Sequence, residues 1–194
     1  MPSGTAVVVP VKAFARAKER LADALRPEQR SALARRLAEG VVGAAMRAPW
    51  PVLVVCDDAE TAAWATSLGA EAIVQVGRGL DAAAGEARSH LRHRMAQIAV
   101  VHADLARPDD LKPVLTVATQ HREVTVVPDH RGDGTTVLVV PTDAPFRFSY
   151  GPGSFARHCA EATRLGLGPR IVNDTGLGTD VDVPDDLAAL EGTD

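Results

Sequence analysis

Short apolar, β-branched runs punctuate this chain at Ala6 to Val11, Val52 to Cys56, Ala72 to Val76, Ile98 to His102, Val124 to Val127 and Val137 to Val140, with alanine- and leucine-rich stretches between them. The runs are apolar throughout. A strand covered on one face alternates apolar with polar residues, whereas one covered on both faces does not. The pattern therefore predicts a mostly parallel sheet with helices on each side, a three-layer α/β/α sandwich. Pro27-Glu28-Gln29-Arg30 puts proline and acid in a first helical turn, and Leu33, Leu37 and Val41 follow on one face. Further helices are expected over 62–68, stopped by Gly69, and over 80–95, 108–120, 154–165 and 184–190. The close spacing of Val127 and Val137 predicts a hairpin-like excursion inside a single domain spanning residues 1–194.

Composition narrows the function. With 194 residues and 46% hydrophobic content the chain can bury one good core, but only 4% of it is aromatic. That is too little for a carbohydrate platform or a base-stacking surface, and a formal charge of -4 argues against broad affinity for nucleic acid or anionic membranes. Cys56 and Cys159 share no metal-ligand spacing, so two thiols in a reducing cytoplasm are expected. The opening residues lack a basic leader region and no stretch reaches membrane-spanning length, which again suggests a cytoplasmic protein.

A parallel sheet of this kind binds ligands at the carboxyl ends of its strands, where Lys12, Asp57, Asp58, Asp104 and the loop after Val127 would emerge. Asp104 follows one apolar run. Asp180 and Asp182 lie in the strand-like Thr179-Asp180-Val181-Asp182-Val183, where alternate residues share a side, so a strand-end Asp104 could meet both. Such a trio suits a hard divalent cation and a triphosphate, although any one strand-end aspartate taken alone is more often an ordinary turn or cap residue.

Three other stretches carry chemistry. Lys12, Arg16, Lys18 and Arg20 put four cations into nine residues without a glycine, as in a phosphate-binding loop built from side chains; a solvated basic stretch would look the same by composition alone. Asp129-His130-Arg131-Gly132-Asp133-Gly134-Thr135-Thr136 offers backbone and hydroxyl donors to an anion, or is simply a tight hairpin turn. In Tyr150-Gly151-Pro152-Gly153-Ser154, Ser154 is expected as the N-cap of a helix whose free N–H groups could take a carboxylate or phosphate. By contrast Gly77-Arg78-Gly79-Leu80-Asp81-Ala82 imitates a dinucleotide fingerprint, but it follows the third apolar run instead of the first. The six histidines, among them the His90 and His93 pair one helical turn apart, find no partner in the sequence.

Taken together, Val9-Pro10-Val11-Lys12, Ala17-Lys18-Glu19-Arg20-Leu21, Cys56-Asp57-Asp58, Ala103-Asp104-Leu105, Gly132-Asp133-Gly134-Thr135-Thr136, Gly151-Pro152-Gly153-Ser154-Phe155 and Asp180-Val181-Asp182 resemble the guanylyltransferases of coenzyme F-420 biosynthesis, from about Val7 to Leu190. Those enzymes act on 2-phospho-L-lactate or phosphoenolpyruvate and belong with the molybdenum-cofactor guanylyltransferases, whose sheet is Rossmann-like and nucleotide-diphospho-sugar transferase-like. The resemblance implies magnesium on Asp104, Asp180 and Asp182. It implies GTP phosphates near Lys12, Lys18 and Arg20, with Lys12 and Asp104 catalytic, and ribose or base near Asp57 and Asp58. The phosphorylated acid would lie on Thr135, Thr136, Gly151, Gly153 and Ser154. Departures from the family pattern fall at Thr136 and Asp81, often Asn, and at Ala106, commonly proline.

The expected reaction is attack of the acceptor's phosphate on the α-phosphorus of GTP, with pyrophosphate leaving and a downstream transferase taking over the product. Phosphoenolpyruvate is the favoured acceptor, because an alanine- and arginine-rich composition suits a high-GC, actinobacterial source, where the resemblance implies that substrate. Two other classes remain open at this level: a nicotinamide-dependent oxidoreductase using Gly77 to Ala82, and a non-catalytic nucleotide-binding module of the same fold.

Overall fold

A computed structural model of the chain describes residues 2–174 and 176–187. Its strands and helices follow in the order β1 (Thr5–Val11), α1 (Pro27–Met46), β2 (Val52–Cys56), α2 (Ala59–Ser67), β3 (Glu71–Val74), α3 (Leu80–Leu91), β4 (Gln97–Val101), α4 (Leu111–Ala118), β5 (Val124–Pro128), β6 (Thr135–Pro141), α5 (Ser154–Arg164) and β7 (Pro169–Ile171). The strands form one sheet ordered β3-β2-β1-β4-β6-β5-β7, parallel except for β6, which runs antiparallel to both β4 and β5. The β5–β6 hairpin is the excursion expected from the Val127 to Val137 spacing.

The apolar-throughout runs explain the layering. Along β1, Val7 and Val9 pack with α1 and α4 on one side, and Ala6 and Val8 pack with α3 and α5 on the other, all four fully buried. Each buried valine contributes about 1.5–3 kcal/mol, so neither face of β1 tolerates a polar side chain. From β1 the chain winds outward through β2 and β3, then returns to add β4 on β1's other side. That reversal opens a crevice at the carboxyl ends of β1 and β4.

Several local expectations are corrected. Thr179 to Val183 is not a strand: Asp180 makes one isolated bridge to Leu105, and Pro184 opens a short 3-10 turn (Pro184–Leu187) directly afterwards. The remainder of the expected 184–190 helix lies outside the described residues. Ser154 is the first residue of α5, not its cap. Gly153, at φ 73°, holds the cap position in a left-handed conformation that a side chain would strain. The third apolar run forms only the short edge strand β3, leaving Val74 and Val76 exposed. The three-residue β7 had no counterpart in the sequence reading. Among the described residues no helix is long and apolar enough to cross a membrane.

Candidate active site

A cleft of about 500 Å3 opens where the sheet's winding reverses. Its first wall is the segment after β1, which folds as two 3-10 turns, Phe14–Arg16 and Glu19–Leu21, around Lys18. Phe14 and Leu21 are buried anchors; the Phe14 ring meets Trp64 edge-on at 5.0 Å and lies under the Arg35 guanidinium at 4.7 Å. Between them Lys18 has φ 57° and ψ 37°, and among the described residues it alone has positive φ without being glycine. A left-handed lysine costs roughly 1–2 kcal/mol, and such strain is typical of functional sites.

That backbone directs the Lys18 ammonium inward, to 2.5 Å from Asp104 Oδ2 and 3.4 Å from Asp182 Oδ1. Its side chain is 6% exposed, whereas Arg20, 3.2 Å from Asp182 Oδ2, is 70% exposed. Lys12 lines the cleft at its mouth and makes no hydrogen bond or ion pair with another described residue.

The acids are gathered by main-chain bonds. The Val181 N–H donates to the Asp104 carbonyl at 3.1 Å and the Ala106 N–H to the Thr179 carbonyl at 2.8 Å, clipping the late segment onto the loop after β4. Asp104, Asp180 and His102 each offer a ligand atom, all within 4.8 Å of one another. Burial pushes the Asp104 carboxyl up, but the Lys18 and His102 charges and the Lys18 hydrogen bond together outweigh it, and the group stays below its ordinary value. Asp180 is raised, first by burial and then by the negative charge of Asp104. Asp182 stands apart from this compact group. It pairs with Lys18 and Arg20, and its N–H donates to Asp186 Oδ2 at 2.8 Å.

The donor set fits a hard divalent ion. Magnesium is usually held by one or two carboxylates together with substrate phosphates and waters, and the repulsion from Asp104 that adds to burial in raising Asp180 is what such an ion relieves. His102 adds a nitrogen, a ligand magnesium seldom takes, so Asp104 and Asp180 are the pair that matches it.

On the second wall, Asp57 and Asp58 part company. Asp57 faces the cleft, accepting the Ala13 N–H at 3.4 Å and a hydrogen bond from the Gln75 side-chain amide, which leaves the buried Gln75 Oε1 without a partner. Asp58 instead caps α2, accepting the Thr61 N–H at 2.7 Å, and does not line the cleft. A helix start takes up its carboxylate.

The third wall comes from β6 and the turn before α5. Thr135, Gly151 and Ser154 line the cleft, and Ser154 Oγ lies 3.4 Å from Thr135 Oγ1. Thr136 points away, its hydroxyl donating to the Val127 carbonyl at 3.3 Å, because neighbouring strand residues face opposite sides of the sheet. The Gly153 N–H is already engaged by Asp133 Oδ2 at 2.9 Å.

Four cleft or near-cleft residues were not singled out from the sequence: Gln75, His102, Tyr150 and His158. His102 carries the one available signal, lying two residues before Asp104 and so on the same side of an extended segment. The dinucleotide-like loop follows the edge strand β3 and not β1, and Glu86 of α3 accepts the N–H groups of Val76 and Gly77 at 3.0 and 2.7 Å. Gly77 is glycine for packing, since a Cβ there would approach that of Ala82 to 2.7 Å.

Residues 5–192 match the family profile described as "Guanylyl transferase CofC like". A phosphoenolpyruvate guanylyltransferase of Rubrobacter xylanophilus is 36% identical over 193 residues, covering 96% of this chain and 93% of that protein. One from Thermomonospora curvata is 38% identical over 190 residues, covering 94% and 81% respectively. Among solved structures, a candidate nucleotide-diphospho-sugar transferase from Desulfovibrio desulfuricans G20 superposes with a TM-score of 0.78 at 17% identity, covering 96% of this chain and 85% of that one, a likeness of fold.

Proposed function

The chain belongs to the CofC-like guanylyl transferases, and from that premise we propose that it transfers GMP from GTP to the phosphate of phosphoenolpyruvate, releasing pyrophosphate, as a step in coenzyme F-420 biosynthesis. The observation that carries this reading is the convergence of Lys18, Asp104 and Asp180 opposite the Thr135 and Ser154 hydroxyls across one cleft. Two anionic reactants need such opposed walls, one cationic and carboxylate-bearing, one rich in neutral donors. The names of the curated relatives support phosphoenolpyruvate as the acceptor.

In this reading Lys12 and Arg20 take the triphosphate as it enters, and Lys18 neutralises charge deeper in the cleft. Asp57 and Gln75, beside the β1 loop, receive the guanosine. Thr135, Ser154 and the turn at Gly151 orient the acceptor so that a phosphate oxygen faces the α-phosphorus. That oxygen is already anionic at neutral pH, so alignment and charge compensation contribute more than a general base. Magnesium held by Asp104 and Asp180 would supply charge neutralisation on the phosphates as pyrophosphate departs. The Asp182 carboxylate keeps Lys18 and Arg20 in position.

Pyrophosphate release measured with GTP, ATP and CTP, each against phosphoenolpyruvate and 2-phospho-L-lactate, tests the reading. The expected pattern is release with GTP plus phosphoenolpyruvate only in the presence of magnesium. Preference for another nucleotide, or for 2-phospho-L-lactate, would replace the corresponding half of the proposal.

A further inference from the structure

His158, on α5, is fully buried behind the cleft and takes no part in the chemistry described so far. Its Nε2 accepts the Ser149 N–H at 3.1 Å, and its Nδ1 lies 3.0 Å from Thr135 Oγ1. An amide N–H can only donate, so Nε2 carries no proton, and the neutral ring must hold its proton on Nδ1 and donate it to Thr135. The ring is fixed by Tyr150, edge-on at 4.8 Å, and by Phe146 at 5.9 Å. The Ser149 N–H is fixed in turn by Arg157, whose guanidinium donates to the Ser149, Tyr150 and Pro152 carbonyls. Burial, followed by the charges of Arg157 and His102, keeps the imidazole neutral with a pKa of about 4.

The tautomer decides what the cleft offers. Thr135 and Ser154 possess one hydroxyl proton each, and their mutual contact at 3.4 Å engages one of them whichever way it points. Because His158 donates, Thr135 need not give its proton to the ring, and one O–H of the pair is left without a protein acceptor on the cleft wall. With the opposite tautomer Thr135 would turn its proton toward Nδ1, and the pair would present a lone pair to an incoming anion.

We infer that His158 is a positioning residue that holds the Thr135 and Ser154 hydroxyls as hydrogen-bond donors to the phosphorylated acid. The inference rests on the acceptor placement proposed above. Replacing one tautomer-locked group thereby acts on acceptor binding and leaves the nucleotide side alone.

Steady-state pyrophosphate release by wild type, His158→Leu and His158→Asn separates this role from a merely structural one. Losing a hydrogen bond to an anion should raise the KM for phosphoenolpyruvate about 10-fold or more in His158→Leu, with the KM for GTP changed by less than about twofold. His158→Asn, which retains a side-chain N–H near the Nδ1 position, should recover most of the loss. Equal shifts in both KM values, or no recovery with asparagine, would overturn the inference. Nitrogen NMR of histidine-labelled wild type reads the tautomer without any variant: His158 should show a neutral Nδ1–H ring at pH 7, and an Nε2–H or charged ring overturns the inference even if the variants do not fold. Wild-type protein inert toward GTP and phosphoenolpyruvate would instead count against the proposed reaction, while the NMR result would still judge the tautomer.

Discussion

Lys18 and Asp104, 86 residues apart in the chain, meet at 2.5 Å on the floor of the cleft, with the lysine backbone held in the left-handed region. Removing the ammonium takes away the strongest influence that keeps the half-buried Asp104 carboxyl ionised. Lys18→Ala should therefore cut kcat/KM by on the order of 100-fold or more, the scale of losing a preorganised charge at a reacting centre. Lys18→Gly loses the same contacts but relieves the backbone, and should be about 1 kcal/mol more stable than Lys18→Ala by denaturant unfolding. Equal stabilities would show that the left-handed conformation is not kept in solution.

His158 gives the fold a pH signature. Its ordinary pKa of 6.5 falls to about 4 in the native protein, so the unfolded chain takes up the proton first as pH drops. The stability it supports is fully present above pH 6.5 and is lost as pH falls from there toward 4, by on the order of 3 kcal/mol in total. Melting temperatures recorded between pH 7.5 and 4.5 should decline less steeply in His158→Asn than in wild type. Parallel curves would place the loss on other groups.

Two residues of α3 hold the segment that carries Tyr150 and Gly151. Arg88 donates to the Ala144 and Phe146 carbonyls, both at 2.8 Å, and Asp81 accepts the Tyr150 N–H at 2.7 Å. Asp81→Asn preserves an acceptor oxygen and should leave the KM for phosphoenolpyruvate within about twofold, whereas Asp81→Ala should raise it by roughly 5-fold. Arg88→Met should lower stability by about 2 kcal/mol, because two part-buried carbonyls lose a charged donor. An Asp81→Ala enzyme with unchanged acceptor KM would detach this clamp from catalysis.

Ligand-induced shifts in melting temperature distinguish the cleft from the imitation fingerprint. GTP with magnesium should raise the melting temperature, as any ligand that binds only the native state does, and NADH should not, because Gly77 to Ala82 follows the edge strand β3 and not the first strand β1. Protection by NADH at concentrations where GTP gives none would contradict the assignment of the cleft.

The layering was legible because residues such as Val7 and Val8 are apolar on both faces, and only a sheet covered twice asks for that. Local boundaries were less so. Ser154 read as a cap because serine is a good one, yet a left-handed glycine before it serves instead and frees the hydroxyl to face Thr135. The approach of Asp104 and Asp180 followed from strand-end logic, but a single bridge brings it about, with no strand, so Asp182 need not share their side and pairs with cations instead. His158 could not be chosen from six histidines, since what distinguishes it is its neighbours in space, Ser149 and Thr135, whereas His102 is marked in the sequence only by lying two residues before Asp104. The hydrogen-bonded pair Asp57 and Gln75 joins the ends of two strands, a relation that no spacing rule encodes.

Pyrophosphate release from GTP and phosphoenolpyruvate, followed against magnesium concentration for wild type and Asp104→Asn side by side, bears most directly on the cleft as the place where the two anions meet. Wild type should release pyrophosphate only when both substrates and magnesium are present, and Asp104→Asn should be slower by on the order of 100-fold or more at every magnesium concentration while melting as a folded protein. An Asp104→Asn protein that turns over at the wild-type rate would mean that the chemistry takes place elsewhere.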